Sequence, residues 1–249
     1  MKVIKDICYS DDASRDRVCD IYLPESEKFS VFIYFHGGGL EKGDKTSAEA
    51  CAKYLAKRNV AVVSANYRLY PMAAFPDFVK DAACAVAWVH ENIAEYGSCS
   101  GIYIGGSSAG AYLSMLLCFD KKYLAPYGLI PTQFCGFIHD AGQPTTHFNV
   151  LRERGFDERR VIIDEAAPLY HVGTEKKYAP MLFVVSDDDM QNRYEQTMLM
   201  LSTLKHFECS SVKIKVMHGA HCEYVRKLDE NGKSVFGQII YEFINEKQN

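Results

Sequence analysis

A doubly wound α/β fold with a mostly parallel sheet and an antiparallel start is what this 249-residue sequence predicts. Three observations carry that reading. Short β-branched and aromatic runs alternate with longer segments of helical periodicity, a rhythm that implies right-handed crossovers between parallel strands. Val31–Phe35 is a continuous apolar run, as expected of a strand buried on both faces. No repeat, low-complexity tract or Pro/Gly/Ser linker interrupts the chain, so residues 1–249 are expected to form one domain.

The elements follow in order. Val3–Tyr9 and Val18–Leu23 flank the polar stretch Ser10–Asp16 and read as an antiparallel opening hairpin. After Val31–Phe35, Thr46–Arg58 has helical spacing, with Thr46 as N-cap and Glu49 completing a capping box. Val60–Ser64 reads as a strand, Phe78–Ala94 as a long helix, Ile102–Ile104 as a short strand and Ala109–Cys118 as a helix. Phe134–Ile138, Met181–Val185 and Val212–Met217 are further strands, and Tyr194–Phe207 and Val235–Glu246 further helices. Only Asp140–Tyr170 breaks the alternation. It is polar, carries Arg152, Arg154, Arg159 and Arg160, and is expected to be an insertion or lid over one end of the sheet.

Composition narrows the function classes. The formal net charge is -4 with both signs interleaved, so no basic stripe marks a nucleic-acid partner. The polar N-terminus lacks a secretory h-region, and no apolar run approaches the ~18 residues needed to span a bilayer, so no membrane partner is expected. The nine cysteines are scattered, odd in number and without a C-x-x-C pair. That pattern suits reduced thiols in a cytoplasmic protein, with no metal site; Cys8 and Cys19 could face each other across the hairpin, yet are expected to stay reduced.

Chemistry is expected outside the carboxyl ends of the parallel strands. Gly106-Ser107-Ser108-Ala109-Gly110 follows one strand directly and opens a helix, fitting G-x-S-x-G with Ser108 central. The flanking glycines allow a sharp turn that exposes a nucleophilic serine, and the Ala109 N–H is placed to receive an oxyanion. Ser107 competes as the hydroxyl, but a motif centred on it would need glycine at Ala109. His36-Gly37-Gly38-Gly39 ends another strand, where glycine N–H groups can hold the oxyanion of acyl transfer. A phosphate cradle is the weaker reading, because no G-x-G-x-x-G or Gly-Lys-Ser/Thr follows. His36 itself is read as structural. A serine needs an imidazole base and a carboxylate to orient it. Ser186-Asp187-Asp188-Asp189 and His218-Gly219-Ala220-His221 close the last two strands and supply both in the chain order Ser, Asp, His.

Taken together, Tyr34-Phe35-His36-Gly37-Gly38-Gly39, Asn66-Tyr67-Arg68-Leu69 with Pro71, and Gly106-x-Ser108-Ala109-Gly110 resemble the esterase/lipase branch of the α/β-hydrolases with an HGGG oxyanion loop. Asp20-Ile21-Tyr22-Leu23-Pro24 and Phe75-Pro76 through Trp88 are similar to that branch too. The resemblance implies an α/β-hydrolase fold, Ser108 as nucleophile, and an oxyanion hole of Gly38, Gly39 and Ala109. It points to Asp189 as the acid and His221, rather than His218, as the base, with no cofactor. Met190 stands where the family often has proline, so Asp187 and Asp188 stay as candidate acids. The cap helices of larger lipase-like members are missing, which implies a minimal cap and a more open site.

The expected substrate is a small-molecule ester, with a short acyl (acetyl) group or a carbohydrate or hydroxycinnamoyl ester foremost. Amide cleavage of the formamidase or peptidase kind and a non-catalytic binding module are the alternatives; the completeness of the constellation disfavours the second. Leu40, Tyr67, Leu69, Met190 and Tyr224 are the candidate pocket residues. Oligomeric state stays open, a homodimer included.

Overall fold

A computed structural model describes residues 1–12 and 15–246. Ala13 and Ser14 of the Ser10–Asp16 connector, and residues 247–249 of the expected domain, lie outside the described residues. The strands are β1 (Lys2–Cys8), β2 (Val18–Leu23), β3 (Lys28–Phe35), β4 (Val60–Ala65), β5 (Ser98–Ser107), β6 (Gly136–Asp140), β7 (Met181–Asp188) and β8 (Val212–Ala220). The helices are α1 (Glu49–Ala56), α2 (Asp77–Asn92), α3 (Ala109–Phe119), α4 (Phe148–Glu153), α5 (Arg193–His206) and α6 (Val235–Asn245).

The eight strands form one sheet in the order β1-β2-β4-β3-β5-β6-β7-β8. The pairs β1–β2 and β2–β4 are antiparallel and every later pair is parallel. Cys19 lies opposite Ile7 and Cys8 opposite Val18, so the two thiols stand one register step apart instead of facing each other. Strand order reverses around β3, and the crevice at the carboxyl ends of β3 and β5 is where such sheets bind ligands.

Side chains of β3 show why its stretch Val31–Phe35 is apolar throughout. Val31, Ile33 and Phe35 enter a core shared with α2, α3 and α5, while Phe32 and Tyr34 enter the opposite core with α1 and α6. A stretch whose side chains alternate between two buried faces favours apolar residues throughout. β8, at the far edge, is mostly exposed and accordingly carries Lys213 and Lys215.

Some boundaries differ from expectation. Thr46 is not an N-cap: the Asp44 side chain accepts from the Thr46 N–H and starts a 3₁₀ turn over Lys45–Ala48, so α1 begins only at Glu49 with no side-chain cap. β5 runs from Ser98 to Ser107, well beyond Ile102–Ile104. Its glycines disguised the extension, yet they are required there: a Cβ on Gly105 would lie 2.5 Å from the Ile138 carbonyl oxygen. β6 begins at Gly136 because a 3₁₀ turn at Pro131–Gln133 occupies the preceding chain.

The first part of Asp140–Tyr170 is polar for a reason other than solvation, while Arg152–Glu165 is mostly exposed. Gln143, Thr145, Thr146, His147 and Asn149 are all buried. The Thr146 hydroxyl donates to Asp164 at 2.8 Å, and Tyr112 of α3 donates to the Ala166 carbonyl at 2.7 Å, so the segment is tied to the core by internal hydrogen bonds. Among the described residues no helix is long and apolar enough to cross a membrane.

Candidate active site

Ser108 sits between β5 and α3 with φ 54° and ψ -114°, a conformation that is costly for a residue bearing a Cβ. Close packing of the surrounding backbone enforces it. A Cβ on Gly110 would lie 1.9 Å from the Phe35 carbonyl oxygen, and one on Gly106 would lie 2.5 Å from the Gly110 carbonyl carbon. Only glycine on both sides lets β5 turn this sharply into α3. The Ser108 N–H donates to the Asp140 carbonyl at the end of β6 (2.7 Å), which pins the turn.

The loop after β3 lies alongside. Gly38 and Gly39 have φ of 123° and 67°, and the N–H groups of Gly38, Gly39 and Ala109 make no hydrogen bond among the described residues. Three unengaged donors beside a serine are what an oxyanion needs. His36 is buried, stacks on Tyr67 with ring centroids 4.5 Å apart, and has Nδ1 at 2.8 Å from the Gly37 carbonyl oxygen. Burial lowers its pKa, so it shapes the loop as a neutral ring. Asn149, from α4, donates to the Gly39 carbonyl at 2.6 Å and holds the loop from the opposite side.

His221 and Asp189 complete the arrangement. Ser108 Oγ lies 2.9 Å from His221 Nε2, and His221 Nδ1 lies 2.5 Å from Asp189 Oδ1. The Asp189 side chain is 0% exposed. Burial pushes its pKa up, but the hydrogen bond and charge of His221 and the N–H groups of Met190 and Ser186 outweigh this and hold it below the ordinary value. Asp187 instead faces His218, whose side chain is 94% exposed, and Asp188 is exposed. Of the three adjacent acids, only Asp189 meets the histidine that meets Ser108. Such a chain lets the imidazole take the serine proton while the carboxylate holds its tautomer.

The overall fold recurs in known proteins. A family model described as BD-FAE matches residues 19–125, less than half of the chain. Esterase B of Lactobacillus rhamnosis superposes with a TM-score of 0.80 over 99% of this chain and 86% of its own, at 16% identity. A truncated carbohydrate esterase from gut microbiota superposes at 0.78 over 99% and 96%, with 18% identity. The chain has the α/β-hydrolase fold. In sequence, the carboxylic ester hydrolase LipN of Mycobacterium tuberculosis is 35% identical over 105 residues, 41% of this chain and 28% of its own. The chain thus spans under a third of the first curated relatives that it matches, 24–30% of their length.

A cavity of about 850 Å³ opens in front of Ser108 and His221. Of the expected pocket residues, Met190 lines it and four do not. Leu40 and Tyr67 are core residues, the Tyr67 hydroxyl donating to the His36 carbonyl at 2.8 Å. Leu69 packs partly buried against the same core. Tyr224 is turned inward, its hydroxyl donating to the Asp140 carboxylate. Proximity in sequence to a motif loop misled in each case, because the side chain leaves the loop on the core side. Tyr34, Phe148 and Val225 supply the apolar lining instead. The insertion arginines are mostly paired: Arg152 with Glu41, Arg154 with Asp164 and Arg159 with Asp157.

Sequence reasoning also missed the support beneath the site. Asp140 is buried at the end of β6, and burial pushes its carboxyl up to about 6. Cys222 Sγ lies 3.8 Å from Asp140 and 3.6 Å from His221 Nε2, and burial drives that thiol well above its ordinary pKa, keeping it neutral. Arg193 is 4% exposed, donates to the Ala141 carbonyl at 2.5 Å, and places its charge near Asp189. A lone arginine or aspartate carries no local pattern that would have singled it out. Among the described residues no group of three or more His, Cys, Asp or Glu side chains is disposed to hold a metal ion.

Proposed function

We propose that this protein hydrolyses carboxylic esters through an acyl-enzyme on Ser108. The single observation that carries this is the continuous hydrogen-bonded path Ser108–His221–Asp189, at 2.9 Å and 2.5 Å, opening on a cavity of about 850 Å³. Ser108 Oγ attacks the ester carbonyl as His221 Nε2 accepts its proton. The amides of Gly38, Gly39 and Ala109 receive the developing oxyanion, and Asp189 stabilises the imidazolium. His221 then returns the proton to the departing alcohol; water repeats the sequence and releases the acid.

A short acyl group suits this site best, with acetyl or hydroxycinnamoyl esters of carbohydrates as the favoured natural class. The large apolar side chains of the cavity are Tyr34, Phe148, Met190 and Val225, and the rest of its lining is glycine, serine, His221, Cys222 and charged residues. That is enough to hold a methyl group or one aromatic ring, and too little to bury a long chain. The gut carbohydrate esterase with the same fold supports the carbohydrate part of the reading.

Labelling with a fluorophosphonate, followed by hydrolysis of p-nitrophenyl acetate, butyrate and octanoate, tests both parts. Labelling is expected in the natural protein and lost in Ser108→Ala, with turnover falling from acetate to octanoate. A folded Ser108→Ala variant that still turns over these esters would refute the assignment of the nucleophile.

A further inference from the structure

The cavity in front of Ser108 does not stand alone. It adjoins a larger one of about 1100 Å³, and the two share Gly43, Ser47 and Arg226 as lining residues. The larger cavity lies between α1 and the turn leading into α6, where none of the catalytic motifs singled out in the sequence is found.

Charge around these two cavities is unevenly available. In the cavity before Ser108 the ionisable rim consists of Glu41, Lys42, Glu223 and Arg226, besides His221 and Cys222. Both acids are engaged. Glu41 pairs with Arg152, while Glu223 accepts the Ala220 N–H at 3.2 Å and lies 3.9 Å from Lys227. Lys42 and Arg226 form no ion pair among the described residues, and both are exposed. The larger cavity repeats the imbalance. Asp44 is taken up by the Thr46 N–H and the Asn66 amide, and Glu49 pairs with Lys53 at 2.6 Å. Lys57 forms no ion pair among the described residues. Over the two cavities the lysines and arginines, Arg58 and Lys233 among them, outnumber the acids, and because the acids are engaged the charges left over for a ligand are cationic.

We infer that Arg226 and Lys42 form a subsite for an anionic group, a carboxylate or a phosphate, carried by the ester substrate away from its scissile bond. The inference rests on the esterase reading given above and adds the charge of the substrate to it. Arg226 contributes a planar fork that matches the oxygens of either anion, and Lys42 a point charge on the same cavity. A concave wall concentrates the field of these cations on whatever enters. A neutral ester gains nothing from them.

Matched pairs of esters provide the test. On the acyl side, the p-nitrophenyl monoester of glutaric acid is compared with p-nitrophenyl butyrate. On the alcohol side, O-acetylglycolate is compared with the monoacetate of ethylene glycol, and an acetylated glycerol phosphate with monoacetylglycerol. The readout is the ratio of kcat/KM within each pair, so that effects common to both members cancel. In the natural protein at low ionic strength the anionic member of at least one pair is expected to be preferred. Arg226→Gln and Lys42→Gln are each expected to lower that ratio about two- to fivefold, Arg226→Glu to lower it further, and 0.5 M NaCl to shrink it in the natural protein, roughly one Debye length being then only a few ångströms. Which pair responds distinguishes carboxylate from phosphate and acyl from alcohol side. An active enzyme with no ratio above one, or with ratios that neither substitution nor salt moves, overturns the subsite and leaves the esterase reading intact. Absence of both fluorophosphonate labelling and hydrolysis of every ester would instead overturn the esterase reading.

Discussion

Replacing Asp189 by asparagine removes one charge and almost no volume, which makes it the most discriminating perturbation of the site. Asp189 Oδ1 lies 2.5 Å from His221 Nδ1, and the aspartate side chain is 0% exposed. With an effective dielectric constant of about 20, a unit charge pair at that separation is worth roughly 332/(20 × 2.5), or about 7 kcal/mol. This attraction is realised when His221 becomes an imidazolium, that is, in the transition state. At about 1.4 kcal/mol per factor of ten, its loss corresponds to a fall in kcat of about 10⁴–10⁵. The assay is steady-state hydrolysis of p-nitrophenyl acetate, with circular dichroism and a thermal melt to establish folding. Asp187→Asn is the control: its partner His218 is 94% exposed and away from Ser108, so kcat is expected to change less than about threefold. A folded Asp189→Asn variant that keeps a tenth or more of the activity, or an Asp187→Asn variant that loses it, would refute the reasoning.

Two further outcomes follow from the support beneath the site. Asp140 has a folded pKa of about 6 against an ordinary 3.8, so the native state binds its proton more tightly than the unfolded chain. Its ionisation therefore carries a penalty that is absent below pH 4, grows between pH 4 and 6, and reaches roughly (6 − 3.8) × 1.36, or about 3 kcal/mol, above that. Urea unfolding at pH 4.5 and 7.5 should show the natural protein gaining stability relative to Asp140→Asn at the lower pH; an equal difference at both values would contradict this. Asn149→Ala removes the 2.6 Å hydrogen bond to the Gly39 carbonyl and lets the oxyanion loop shift. With about 1–2 kcal/mol at stake, kcat is expected to fall about tenfold with KM little changed, and an unaltered kcat would deny Asn149 that positioning role.

Much of this protein is determined by sequence alone, because the decisive signals are local. The buried strand Val31–Phe35, the turn around Ser108 and the glycines after His36 are each written in contiguous residues whose backbone permits little else. A sharp strand-to-helix turn needs Gly106 and Gly110 whatever surrounds it, and the order Ser, Asp, His follows from strands that come in that order. What tertiary structure alone decided depends on which side of a loop a side chain leaves. Three consecutive acids, Asp187, Asp188 and Asp189, are equivalent in sequence; burial and the reach of His221 select one of them. Leu40, Tyr67, Leu69 and Tyr224 adjoin motif loops and yet turn into the core, whereas Phe148 and Asn149 reach the oxyanion loop from more than a hundred residues away. Within Asp140–Tyr170, Gln143 to Asn149 form a buried polar network whose hydrogen bonds close only when the chain folds back on α3, while Arg152–Glu165 stays mostly exposed. Polarity in a sequence records that a group needs a partner; only the fold decides whether that partner is water or protein.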